Sequence, residues 1–192
     1  MGLLGHPLRR RRESRGQALV EFSLIIPIFM VIIVALMEFS FLLTTKIGVT
    51  NTAQDAVQLA SQLGNTASAD FQILQLVEKG ISAPMDRAKI VSVEIFKTDA
   101  YGTKNLGEDK YTRGAGEYAN PDAITQKVPY QQSTLTYDPS IRQNVVATGV
   151  DYVGVIVTYK YTWLTPITNL VSLGSTGMTF VQSSVSRMEP IQ

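Results

Sequence analysis

Hydrophobic positions follow three different patterns along this chain. From Phe22 to Met37 sixteen residues pass without a charge, and after Glu38 the apolar character resumes through Phe39, Phe41, Leu42 and Leu43 as far as Lys46. The 28 residues from Ala18 to Thr45 predict a helix about 42 Å long, enough to cross a hydrocarbon layer of about 30 Å. A secretory signal would end in a small-x-small cleavage site. Here the run ends on the bulky Glu38-Phe39-Ser40-Phe41-Leu42-Leu43, so residues 17–46 read as a transmembrane helix. The period then changes: Val49, Ala53, Ala56, Ala60 and Leu63 recur every three or four residues, which predicts an amphipathic extension over 47–65 that stops at Gly64-Asn65. A seam of alanines lets a neighbouring helix or sheet approach closely.

Residues 66–192 form one further core, in which the period falls to two. Ser68 or Asp70 caps a short helix carrying Phe71, Leu74 and Val77 and ended by Gly80. Strands follow at Ile90–Lys97, with Val91, Val93 and Ile95 on one face, and at Tyr152–Leu164, with Val153, Val155, Val157, Tyr159, Tyr161 and Trp163 on one face. The last strand is expected from Met178 to about Val185, after a turn at Gly174-Ser175-Thr176-Gly177. Between the first two strands, residues 98–149 hold five tyrosines among glycines and prolines and predict an irregular insertion. Its tyrosines are either a partner-binding surface or decoration, and Asp138-Pro139 starts one helical turn with Ile141 and Val145 facing inward. The expected fold class is α+β: a long N-terminal hydrophobic helix packed on a small antiparallel sheet of about three strands.

Charge refines this picture. Seventeen basic and sixteen acidic residues give a net charge of +1, which leaves no electrostatic footprint for nucleic acid. The sum is uneven, because residues 1–16 hold five arginines against Glu13 and carry +4, leaving −3 for the remainder. The positive-inside bias places residues 1–16 in the cytoplasm and the domain after about residue 45 outside it. Cysteine is absent and the one histidine is His6, so thiol chemistry, thiolate metal sites and histidine-based catalysis are excluded from residues 17–192. Asp99, Glu108 and Asp109 lack the spacing of a calcium loop. No local motif selects a catalytic pair from Glu94, Asp138 and Asp151. The chain is read as no enzyme, with neither cofactor nor metal.

Two acids interrupt the apolar segment. Glu21 and Glu38 are 17 residues apart, or about 25 Å along a helix, which puts them near opposite interfaces. Either both merely face headgroups, or they have a role in assembly. Glu21 follows Gly16 by five positions in Arg15-Gly16-Gln17-Ala18-Leu19-Val20-Glu21-Phe22, directly after the arginines. Pro27 lies six residues further on, inside the predicted helix, where it removes a hydrogen bond and leaves the Ser23 carbonyl for Ser23 itself or a neighbour to satisfy.

This segment resembles the processing signal of prepilins. Residues 18–27, Ala-Leu-Val-Glu-Phe-Ser-Leu-Ile-Ile-Pro, together with Met37-Glu38-Phe39, resemble the N-terminus of TadE-like pseudopilins of tight-adherence (Tad, or Flp) pilus systems. More loosely, so do Thr158-Tyr159, Leu164-Thr165-Pro166 and Arg187-Met188-Glu189. The resemblance implies a pilin-like fold and cleavage after Gly16 by a prepilin peptidase, with Gly16, Gln17, Glu21 and Phe22 forming the processing signal. It also implies that Glu21, Pro27 and Glu38 serve subunit assembly, with Glu21 pairing with the new amine of Gln17 on a neighbour. Its partners would be the peptidase, other pilins and pseudopilins, the pilus assembly platform and the lipid bilayer. The location implied is the cytoplasmic membrane, single-pass, or a pilus outside the cell. The alternative is an uncleaved, membrane-anchored protein whose outer domain binds a ligand or cell-wall component.

Overall fold

Helix α1 runs from Arg10 to Leu63 and passes through Pro27 without a break. Residues 10–165 and 177–190 are described by the computed structural model; residues 1–9 of the leader and the expected turn at 174–176 lie outside them. The described residues divide into two compact units, 10–40 with 163–165, and 41–162 with 177–190.

In the second unit the alanine seam of α1 is buried as its period predicts. Val49, Ala53, Ala56, Val57 and Ala60 are all inaccessible. The approach is close: Met85 packs on Gly48, Thr52 on Gly80, and the Thr50 hydroxyl donates to Gln182 at 3.0 Å. The helix ends at Leu63 because Gly64 adopts φ +56°, a left-handed conformation that costs glycine little. Helix α2, Ala69–Gly80, follows with Ser68 at its N-cap, and buries Phe71, Ile73, Leu74 and Val77.

The strands are β1 (Ile90–Thr98), β2 (Lys104–Asn120), β3 (Ala123–Leu135), β4 (Asn144–Val145), β5 (Gly149–Val150), β6 (Tyr152–Thr162) and β7 (Gly177–Arg187). The main sheet therefore has five strands rather than about three, in the order β3-β2-β1-β6-β7 with every neighbouring pair antiparallel. The two additional strands come from the stretch expected to be irregular. Proline and glycine are there for strand reasons: Pro129 sits on the edge strand β3, where its missing N–H costs least. Opposite it β2 bulges, the register passing from Arg113↔Tyr130 to Tyr118↔Val128. Gly114, at φ +76°, supplies the backbone conformation the bulge needs.

Packing corrects three further expectations. Tyr111, Tyr130 and Tyr137 are buried core residues, so they offer no surface to a partner. The turn at Asp138-Pro139 exists as a 3-10 turn over Pro139–Ile141, but Ile141 and Val145 face solvent and Arg142 takes the interior. Val91 is exposed because the register shifts between Ile90 and Ser92, turning Ile90 inward instead.

Val93 lies between Tyr111 and Val157, and Ile95 between Asp109 and Val155, on the core face. On the opposite face Glu94 meets Lys104 at 2.6 Å and Lys110 at 2.7 Å, and Phe96 covers its cross-strand partner Gly154. A Cβ at Gly154 would collide with the Phe96 ring, which is itself buried. Gly154→Ala is therefore expected to lower stability by about 1–3 kcal/mol through overpacking. Adding Phe96→Leu should recover part of the loss, which denaturant melts of the full chain in detergent would show.

Candidate functional site

From Gly16 onward α1 presents apolar side chains in all directions. Between Gly16 and Leu43 only Val34, Glu38 and Leu42 are less than exposed, while Leu19, Phe22, Leu24, Ile28, Leu36 and Phe39 are each about two-thirds accessible. A helix that is apolar all round needs lipid or other subunits about it. Its length and composition suffice to cross a membrane once.

Gly16, Gln17, Glu21 and Phe22 lie within two turns of the start of this surface. Nothing approaches within 4 Å of the place where a Cβ on Gly16 would stand. The Gln17 amide donates to Glu21 Oε1 at 3.1 Å, an i,i+4 pair on the exposed face of the helix. Near Pro27, the Ser23 hydroxyl donates to the Val20 carbonyl at 2.8 Å. It thus takes the ordinary i−3 partner rather than the carbonyl that Pro27 frees.

Glu38 is different from Glu21. It is 5% exposed, and its carboxylate accepts the backbone N–H of Leu164 at 3.0 Å on Oε1 and that of Thr165 at 2.9 Å on Oε2. The three residues proposed for assembly are thus strung along one helix rather than gathered into one site, and Glu38 has a partner within its own chain. Sequence reasoning missed Trp163–Thr165 as that partner. The signal available was a carboxylate in an apolar run, which must find donors somewhere.

A second polar group lies in the core of the other unit. Arg142, Asp70 and Asp109 are all fully buried. Arg142 Nη2 donates to Asp70 at 2.5 Å and to the Tyr137 carbonyl at 3.1 Å, and stands 3.4 Å from Asp109. Tyr111 donates to Asp70 at 2.7 Å, and the N–H groups of Thr136 and Tyr137 donate to Asp109, both at 2.9 Å. Burial pushes the Asp109 carboxyl up to about 6, with Asp70 adding to the rise and the Tyr137 N–H and Arg142 opposing it. Burial likewise pushes the Tyr111 hydroxyl far up. These groups tie α2, β2 and the segment after β3 together; their enclosure makes the cluster architectural.

Two more contacts fasten the C-terminal tail. The Met188 N–H donates to the Asp151 carbonyl and the Glu189 N–H to the Ser61 carbonyl of α1, both at 2.9 Å. Lys97 meets Asp151 at 2.6 Å. Among the described residues, no group of three His, Asp or Glu is placed to hold a metal ion. A groove of about 420 Å³ lies between α1 and α2, lined by Asp55, Leu59, Gln72, Gln75, Leu76 and Lys79 with Gly80.

The family model described as TadE-like protein matches residues 16–58. The match begins at Gly16, takes in the exposed apolar helix with Glu21, Pro27 and Glu38, and ends five residues before α1 does. No curated protein and no solved structure matches the chain.

Proposed function

We propose, from the premise that residues 16–58 are a TadE-like segment, that this protein is a minor pilin-like subunit for assembly of a tight-adherence pilus. In this reading a prepilin peptidase cuts between Gly16 and Gln17 on the cytoplasmic side, and α1 then holds the subunit in the cytoplasmic membrane with the α+β domain outside. The observation that carries it is that Gly16-Gln17 and Glu21, directly after Arg15, stand at the N-terminal edge of the part of α1, residues 16–43, that is apolar and almost wholly exposed.

The physics of the step supports the reading. Glycine is the weakest helix former short of proline, and Gly16 is open to approach. Removing residues 1–16 deletes the +4 block that pins the N-terminus to one leaflet and creates an amine at Gln17. Glu21, now hydrogen-bonded to the Gln17 side chain, can exchange that neutral partner for the new amine of a neighbouring subunit. A carboxylate that must leave water is costly unless paired, so the pair would fix the axial register of subunits.

N-terminal sequencing of the membrane-extracted protein from a host that carries the peptidase tests the first step. A chain beginning at Gln17 is the expected result, and one retaining residues 1–16 would leave the anchored, uncleaved protein as the better reading. Glu21→Ala should be processed but excluded from sheared pili. Recovery of that variant in pili at the wild-type level would remove Glu21 from assembly.

A further inference from the structure

The chain carries no charge from Tyr161 to Ser186, 26 consecutive residues, and it is into the head of this stretch that Glu38 reaches. One backbone amide, of Leu164 and of Thr165, meets each oxygen of the carboxylate. Charge-assisted bonds of this kind are about twice as strong as neutral ones, and they satisfy two N–H groups that follow the last residue of β6. A carboxylate so engaged has its hydrogen-bonding needs met within the protein and costs less at the edge of a bilayer than a bare one. Glu38 stands about 25 Å along α1 from Glu21, at the far end of the apolar run.

The level of this contact is marked by its neighbours. Met37 and Phe39, on either side of Glu38 in sequence, are 53% and 62% exposed, and Leu164 is 64% exposed. Trp163, the single tryptophan of the chain, sits beside it. Tryptophan belongs to the headgroup layer, where its apolar ring and N–H meet both media.

We propose that Glu38 seats the Trp163–Leu164–Thr165 segment on the outer surface of the bilayer, so that the protein meets lipid twice, through α1 and through the side chains of Trp163 and Leu164. The occupant is a lipid surface because the segment is bonded to Glu38, whose sequence neighbours Met37 and Phe39 belong to the exposed apolar band of α1, and because the sequence from Thr165 to the start of β7 carries no charge. This inference rests on the membrane reading of α1. Glu38 is thereby a positioning residue within its own subunit.

Trp163 reports on the proposal directly. The full-length protein is reconstituted into phosphatidylcholine vesicles, with and without bromine atoms near the glycerol end of the acyl chains. Trp163 emission should be blue-shifted, quenched by the brominated lipid and shielded from acrylamide. In Glu38→Leu, which accepts neither amide, the brominated-lipid quenching should be lost and the emission red-shifted. Glu38→Gln, with one oxygen left, should fall between; it carries the comparison alone if circular dichroism shows that Glu38→Leu does not fold. Equal quenching in the wild type and the folded variants would overturn the role of Glu38. A Trp163 open to acrylamide, or shielded from it yet unaffected by bromine, would overturn the lipid contact, the latter pointing to a protein cover. Both outcomes are judged on protein that floats with the vesicles through a carbonate wash; failure to float would instead refute the membrane reading of α1, and this inference with it.

Discussion

Replacing Arg142 by methionine is expected to lower the stability of the folded protein by about 3–5 kcal/mol, the usual consequence of stripping a buried charge of its partner. The reason lies in the count of charges. Asp70 and Asp109 are both fully buried, and the Arg142 guanidinium, which also stacks 4.9 Å from the Tyr137 ring, is the cation between them. Without it two carboxylates face each other in a medium that cannot hydrate either. A loss of this size is a large part of the whole stability of an ordinary domain, about 5–15 kcal/mol. Denaturant melts of the full chain in detergent measure it. Combining Arg142→Met with Asp70→Asn and Asp109→Asn should restore much of the loss, because a neutral set lacks the uncompensated charge. If the single variant melts like the wild type, the cluster does not hold these elements together.

The second large effect is on pH dependence. Asp109 has its carboxyl raised from 3.8 to about 6, so the folded chain holds a proton there that the unfolded chain has released. Its contribution is complete below about pH 4 and is lost as pH rises through 6, a fall of about 3 kcal/mol at one pKa unit per 1.36 kcal/mol. Glu94 acts in the other direction. Burial would raise its carboxyl, but the hydrogen bonds and charges of Lys104 and Lys110 outweigh that and hold it below its ordinary value. Its contribution is therefore present above about pH 4.5 and lost as pH falls. Stability should pass through a maximum in mildly acidic solution and decline toward neutral pH. Asp109→Asn keeps an oxygen for the N–H groups of Thr136 and Tyr137 and should flatten the decline between pH 4 and 7. A decline of unchanged slope in that variant would assign the effect to another group.

Most of the helical architecture was legible in the residues. The run from Ala18 to Thr45, the alanine seam and the stop at Gly64 each rest on a local pattern, and α1 follows them to Leu63. The strands at 90–98 and 152–162 were legible for the same reason, since alternating valines leave few other structures open. β2 and β3 were not. Their glycines and prolines signal turns when read locally, and only the pairing of Gly114 with a bulge and of Pro129 with a sheet edge shows that they belong to strands. The tyrosines obey the same physics, because whether Tyr111 and Tyr130 face water depends on which strand lies beside them.

The candidate site divides along the same line. Gly16, Gln17, Glu21 and Phe22 stand within one short segment, so spacing alone brought them together, and the TadE-like match over 16–58 covers all four. Glu38 was visible as an acid in an apolar run, but its partners are more than 120 residues away. The Asp70–Asp109–Arg142 cluster likewise draws on three separate elements, with only Asp109 and Tyr111, two apart on one strand face, hinting at it. The sequence by itself determined what is set by periodicity and near-neighbour spacing: a membrane-length helix, its stalk and the segment at Gly16. Tertiary structure alone decided which charges are buried and with whom they pair. A charged side chain on a strand or turn can face either way, and the cost of dehydrating it is met only by donors and counter-charges that the fold brings from distant parts of the chain.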